Sequence, residues 1–82
     1  MLTLEVDGEE VFAFDYATAL LGWTTDQERA THIGRCDRTI RRARKGQFGT
    51  PFMESVMTAL RKHENKLRRR GVSVKTSTFF EV

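Results

Sequence analysis

The amino-terminal residues alternate between apolar and polar side chains with a period of two. Three apolar positions separated by single polar ones fall within residues 2–6, a spacing typical of a half-buried strand. Asp7 and Gly8 follow as turn residues, and residues 11–14 form a second apolar run. This pattern predicts either a short β-hairpin or a single edge strand.

Helical spacing replaces the alternation after this segment. An acidic residue, Asp15, can cap a short first helix over about residues 15–21, with Gly22 at its end. Thr25 and Glu28 stand three residues apart, the spacing of a capping box, in which both residues satisfy backbone N–H groups at a helix start. A second helix is therefore predicted over about residues 26–33.

The next two helices are bounded by glycine and by proline. The third is predicted to begin at residue 36 or 37, shortly after Gly34, and to end near Gly46. Thr50 can cap the fourth helix and Pro51 can take its first position, where the missing N–H costs nothing. Its apolar stripe thins after Leu60, so the turns up to residue 70 are predicted to face solvent.

Alternation with a period of two returns at the carboxyl end. Valine and threonine recur at every second position from Val72, which predicts a closing strand over about residues 72–82. This strand could pair with its copy in a homodimer and bury Phe79 or Phe80. It could also fold back onto residues 2–6, which is favoured because the first strand otherwise has no partner.

Length, composition and cysteine content limit the class of protein. The 82 residues, 39% of them hydrophobic, suffice for one small domain, so a single domain over residues 1–82 is expected. Its predicted class is mainly α with a small β element: four helices flanked by an amino-terminal strand or hairpin and the closing strand. The lone Cys36 cannot form an internal disulfide, which favours a cytoplasmic, reducing location. No apolar run approaches the ~20 residues that cross a bilayer, so no membrane contact is expected.

Charge is strongly separated along the chain. Residues 1–28 contain seven acidic side chains and no lysine or arginine, whereas residues 29–70 contain thirteen basic and three acidic ones, a balance of +10. A basic segment beside an acidic one attracts and orients a polyanion, and nucleic acid is the first candidate. The alternative is that these charges only solvate two helix faces.

The spacing of small and apolar residues across the second and third helices is that of a tightly crossed helix pair. Such a pair needs a small residue at the contact, a glycine in the turn and apolar residues facing inward. These structural positions are occupied by Ala30, Ile33, Gly34, Ile40 and Ala43. A helix-turn-helix over about residues 25–46 is therefore predicted.

The other positions of the third helix are predicted to point outward. They are Asp37, Arg38, Arg41, Arg42, Arg44 and Lys45. Five of the six are cationic, which suits the major groove, where arginine binds guanine O6 and N7 and flanking cations contact phosphate. The cations of residues 61–70 could add phosphate contacts or could form a solvated helix end.

The segment TTDQERATHIGRCDRTIRRARKG, with the helix that follows it, resembles the helix-turn-helix of the Cro and C1-repressor (XRE-like) regulators, in the short form of phage and actinobacterial proteins. The resemblance covers roughly residues 12–62. It implies that Arg38, Arg41 and Arg42 read bases. Residues at the edge of the interface or against the backbone would be Thr25, Gln27, Arg35, Cys36, Asp37, Arg44 and Lys45. The implied function is sequence-specific binding of double-stranded DNA by a transcriptional regulator close to the bacterial nucleoid.

Two other classes of function remain open at this point. The arginine excess would also suit an architectural protein that binds DNA without regard to sequence. The acidic first third and the aromatic tail would suit a module that binds a host protein. An enzyme is not expected, because no catalytic arrangement or phosphate-binding loop can be identified. His32 and Cys36 offer too few ligands for a structural metal, and no cofactor is implied.

Overall fold

Two short strands and six helices make up residues 1–81, the part of the chain that the computed structural model describes. They are β1 (Thr3–Val6), β2 (Glu9–Phe12), α1 (Ala13–Leu20), α2 (Asp26–Ile33), α3 (Asp37–Arg44), α4 (Thr50–Arg61), α5 (Glu64–Arg69) and α6 (Thr76–Phe79). The predicted class, mainly helical with a small β element, is confirmed. Among these elements, no helix has the length and apolarity to span a bilayer.

The amino-terminal strands form a β-hairpin, one of the two predicted alternatives. They pair antiparallel, from Thr3 opposite Phe12 to Val6 opposite Glu9. Asp7 and Gly8 both have positive φ, 52° and 82°, as a two-residue type I′ turn requires. The first strand thus has a partner without the carboxyl terminus.

Helix α1 begins directly after the hairpin, at Ala13, so the predicted start at Asp15 is wrong. Asp15 lies in the first turn, and Phe12 occupies the capping position without a side-chain cap. This start places Phe14 and Ala17 in the core, both essentially without solvent contact. The helix is therefore held by burial of its apolar face rather than by a cap.

The predicted fourth helix is two helices. Helix α4 ends at Arg61, and α5 begins at Glu64 with His63 in the capping position. Gly49 occupies the capping position of α4, so Thr50 is a helical residue rather than the predicted cap. Leu67 of α5 is fully buried, so the prediction that these last turns only face solvent is wrong at this position.

The predicted closing strand is wrong. Within residues 72–81 the structure has no strand, and residues 76–79 form the short helix α6. Phe79 and Phe80 are both fully buried, which a strand with one solvated face cannot achieve for adjacent residues. The Phe79 carbonyl accepts a hydrogen bond from the Leu2 N–H at 2.8 Å, so the segment does fold back onto the amino terminus, but as a helix. Val82 lies outside the described residues.

The loss of this strand also bears on assembly. The homodimer, the less favoured of the two alternatives, required a strand between residues 72 and 82 that could pair with its copy. In the described residues this segment instead fills the core of its own chain. The Phe80 ring lies 5.2 Å from that of Phe48 and 6.1 Å, edge-on, from that of Phe52.

Candidate nucleic-acid interface

The candidate interface starts at the amino end of α2, where Thr25 caps the helix. Its hydroxyl accepts a hydrogen bond from the Glu28 N–H at 3.1 Å, which is half of the predicted capping box. The Glu28 carboxylate accepts hydrogen bonds from the hydroxyls of Thr24 and Thr25. These hydrogen bonds, that from Thr25 first, lower the pKa of Glu28. Thr25 and Gln27 are both exposed here.

The turn between α2 and α3 comprises residues 34–36. Gly34 has φ 73°, a conformation that costs a residue with a Cβ about 1–2 kcal/mol. The Arg35 N–H bonds back to the Ala30 carbonyl at 3.0 Å. Ala30, Ile33, Ile40 and Ala43, the inward positions of the two helices, are all buried. Small and β-branched side chains therefore occupy the packed sides of α2 and α3.

Two residues of the turn fix it to its surroundings. Arg35 donates to the Ser55 hydroxyl at 3.0 Å and to the Pro51 carbonyl at 3.1 Å, so its guanidinium joins the turn to α4. Cys36 is exposed and precedes α3, with its Sγ 3.1 Å from the Thr39 hydroxyl. That contact lowers the pKa of the thiol.

Four cations form the outward face of α3: Arg38, Arg41, Arg42 and Lys45, all exposed. At about 100° per residue, they span about 100° of the helix surface, opposite the face that buries Ile40 and Ala43. We call these four residues the outward face. Helix α2 contains one arginine, the buried Arg29, and no lysine. The exposed arginine and lysine side chains of these two helices therefore lie on the outward face of α3.

Asp37 interrupts this positive surface at its edge. Its carboxylate accepts from Arg41 Nη1 at 2.8 Å and from the Arg38 N–H at 3.0 Å. The bond from Arg41 is the main reason that the pKa of Asp37 is lowered. Both partners of the Asp37–Arg41 pair are about half exposed, so the pair contributes little to stability and exchanges easily.

Arg44 does not face outward, contrary to the sequence prediction. Its guanidinium is 20% exposed and donates to Asp15 of α1 at 2.8 Å and to Asp26 of α2 at 2.7 Å. The two carboxylates, Asp26 first, raise the pKa of Arg44 above its already high ordinary value. Arg44 therefore holds three helices together instead of offering its charge to a ligand.

Arg29 extends this polar cluster and was not identified from the sequence. It is buried, donates to Asp26 at 3.1 Å and donates from Nε to the Thr18 hydroxyl at 2.7 Å. We call Asp15, Thr18, Asp26, Arg29 and Arg44 the interhelical ion cluster. The positions of the two arginines around their helices could have indicated their burial. Arg29 lies about 40° around α2 from the inward Ile33, and Arg44 lies about 40° around α3 from Ile40.

The ion cluster predicts how stability depends on pH. Hydrogen bonds from Arg44, with smaller contributions from Arg29, lower the pKa of Asp26 below its ordinary 3.8. A depressed pKa stabilises the fold fully above the unfolded value, and this stabilisation is lost as pH falls through the folded value. Asp26 is 23% exposed, so we expect Asp26→Asn to cost about 1–2 kcal/mol at pH 7.

Urea unfolding at a series of pH values checks this expectation. The difference between the wild type and Asp26→Asn should be constant at neutral pH and shrink below about pH 4. Asp37→Asn is the matched control, because its pair with Arg41 is exposed. A difference for Asp26→Asn that stays the same down to pH 2 would show that the carboxylate is not held ionised by Arg44.

An aromatic stack lies behind α2. The rings of Trp23 and His32 are parallel with centroids 4.1 Å apart, and His63 meets Trp23 edge-on at 5.6 Å. Trp23 is buried, so it packs the α1–α2 connection against the junction of α4 and α5. Within residues 1–81, His, Cys, Asp and Glu form no group that could hold a metal ion.

The chain matches no protein-family model, no curated protein and no solved structure. What the outward face binds therefore has to follow from its own residues and their chemistry.

Proposed function

We propose that this chain binds double-stranded DNA, with α2, the turn at 34–36 and α3 acting as a helix-turn-helix and α3 lying in the major groove. The proposed biological role is a transcriptional regulator of the Cro and C1-repressor (XRE-like) type. The observation that carries the proposal is the outward face: four exposed cations opposite the two buried residues that fix the orientation of α3.

The dimensions and chemistry of the groove fit this face. A helix with its side chains is about 10–12 Å across, close to the ~12 Å width of the major groove. Arg38 and Arg42 form no salt bridge within residues 1–81, so both guanidinium groups are free to bind guanine O6 and N7. Arg41 must first leave Asp37, at a cost of less than about 1 kcal/mol for an exposed pair.

The amino end of α2 supports a smaller contribution. The N–H groups at a helix start attract phosphate, and Gln27 offers a neutral donor there. Glu28, however, is exposed and has a lowered pKa, so a negative charge stands beside any phosphate that approaches. Most of the binding free energy is therefore assigned to α3.

Removal of one outward cation tests the proposal. We expect Arg42→Ala to weaken binding to a selected duplex by about 1–3 kcal/mol, roughly 5- to 150-fold, because a bidentate base contact is lost. The duplex is obtained by selection from a random-sequence pool, and affinity is measured by fluorescence anisotropy. Lys75→Ala is the matched control, since Lys75 is also an exposed cation but precedes α6.

Equal losses for Arg42→Ala and Lys75→Ala would contradict the assignment of α3 to the groove. The melting temperatures of both variants should match that of the wild type, because both side chains are exposed.

A second candidate, sequence-indifferent DNA binding, is favoured by one observation. All four members of the outward face are cations, and the nearby Thr39 hydroxyl already contacts Cys36. Competition decides between the two: a preference of at least ~10³ for selected over random duplex supports a regulator, and a smaller ratio supports an architectural protein. If the affinity for duplex DNA showed no dependence on salt concentration, a protein-interaction module would instead be favoured.

A further inference from the structure

A second concentration of positive charge lies away from α3, where the chain bends between α4 and α5. The bend follows from the end of α4 at Arg61 and the hydrogen bond from the His63 N–H to the Leu60 carbonyl. It brings two cations from the end of α4 and two from α5 around one surface concavity: Arg61, Lys62, Lys66 and Arg69. We call these four residues the junction cations.

The junction cations are free to bind a ligand. All four are exposed, and none forms a salt bridge within residues 1–81. The acidic residue beside them, Glu64, accepts a hydrogen bond from Arg68 at 3.0 Å. Its charge is therefore already compensated by a residue outside the concavity.

Helix dipoles do not account for so much charge. The carboxyl end of a helix carries about half a negative charge, which one cation balances. Residues 61–70 contain six lysine and arginine residues against Glu64 alone, and like charges three or four residues apart destabilise a helix. A six-residue helix with Leu67 as its buried residue tolerates this repulsion more easily when an anion relieves it.

The side chains around the concavity indicate the class of ligand. Lysine and arginine on an open surface suit a row of phosphates rather than a single enclosed anion. Single-stranded nucleic acid is usually held by bases stacked on aromatic rings. The ring of His63 already meets Trp23 edge-on, and no phenylalanine, tyrosine or tryptophan lines the concavity. These features favour the backbone of a duplex.

The concavity extends away from the α2–α3 turn, and Lys62 is its member nearest to the turn, since Lys62 also lines a groove with Gly34 and Arg35. The turn contacts the start of α4 through Arg35 and the Pro51 carbonyl. Helix α4 has 12 residues and is therefore about 18 Å long, and the junction cations lie at its other end. Lys66 and Arg69 lie on α5 and do not line the groove that Lys62 shares with the turn, so they are placed to meet phosphates other than those that border the groove around α3.

We infer that the α4–α5 junction is a second duplex-backbone binding surface, which contacts phosphates independently of α3 through Arg61, Lys62, Lys66 and Arg69. This inference rests on the proposed function, because α3 brings the duplex to the protein. The phosphates belong either to the flank of the same duplex or to a second duplex. Both sources offer the same chemistry to the junction.

Salt titration of a double variant tests this surface. Log affinity for a long random duplex falls with log salt at a slope of about −0.9 for each phosphate contact. For K66Q/R69Q, which loses two such contacts, we expect this slope to become less steep by about 2. The control R70Q/K75Q removes the same charge from two exposed cations outside the concavity and should leave the slope almost unchanged. Thermal melts establish that both variants remain folded. An unchanged slope for folded K66Q/R69Q overturns the inference.

Two further arms separate the outcomes. A wild-type chain that binds no duplex at low salt refutes the proposed function itself, whereas a loss of affinity for the selected duplex in Arg42→Ala, together with an unchanged salt slope in K66Q/R69Q, refutes only the junction. Capture of a second labelled short duplex on an immobilised one, lost in K66Q/R69Q and kept in R70Q/K75Q, identifies a second duplex as the source. A reduced slope without such capture identifies the flank of the same duplex.

Discussion

Replacement of Phe79 by alanine is expected to lower the free energy of unfolding by about 3–5 kcal/mol, the usual cost of removing a buried aromatic ring. The Phe79 side chain is fully buried, and its carbonyl accepts the hydrogen bond from the Leu2 N–H. Its removal leaves a cavity at the point where the two ends of the chain meet. A domain of this size has a total stability of only about 4–12 kcal/mol, so the variant should be close to unfolding.

Urea denaturation followed by the fluorescence of Trp23 measures this effect. Phe12→Ala removes the same ring from a half-buried position at the end of β2. Phe12 is not among the described residues that pack against the core, so this control should cost about 1 kcal/mol. Similar costs for the two variants would mean that residues 76–80 do not complete the core in solution.

The central helices could be predicted from the sequence because their boundaries depend on local chemistry. Thr25 caps α2 and Gly34 ends it in a left-handed conformation, and both effects act within a few residues. The predicted range of 26–33 is therefore confirmed. The hairpin turn at Asp7 and Gly8 is local in the same way.

The carboxyl terminus could not be predicted because its structure depends on distant residues. Alternating valine and threonine favour a strand locally. The rings of Phe79 and Phe80 instead complete a core that already contains Phe14 and Leu67, and the short helix α6 with the extended residue Phe80 after it buries both rings. Tertiary packing outweighed the local preference, and the pattern within residues 72–82 contains no information about that core.

The outward orientation of side chains on the third helix was predicted correctly where helical phase and charge agree. Arg38, Arg41, Arg42 and Lys45 are exposed opposite Ile40 and Ala43. The outward prediction for Arg44 follows from its exclusion from the inward positions, although its phase places it about 40° from Ile40, beside the packed side of α3. Its partners, Asp15 and Asp26, lie 29 and 18 residues away, a separation that no spacing rule connects.

Replacement of Arg44 by methionine is expected to cost about 2–4 kcal/mol of folding stability, because methionine keeps the bulk of the side chain and removes its charge. The carboxylates of Asp15 and Asp26 then lose a donor that each binds at 2.8 Å or less. Both remain largely shielded from water, at 29% and 23% exposed, so solvent replaces the lost hydrogen bonds only in part. Urea denaturation at pH 7 measures the loss.

Arg42→Met is the matched control, since it changes the same side chain two residues earlier on the exposed side of α3, and it should alter stability by less than about 0.5 kcal/mol. Asp15→Asn completes a double-mutant cycle with Arg44→Met, for which we expect a coupling of about 1–2 kcal/mol.

The affinity for duplex DNA should show the opposite order. Under conditions where both variants are folded, Arg42→Met should lose more affinity than Arg44→Met, because the Arg44 guanidinium donates its hydrogen bonds to Asp15 and Asp26 within the protein. If Arg44→Met were as stable as Arg42→Met and bound duplex DNA more weakly, Arg44 would instead contact DNA, as predicted from the sequence.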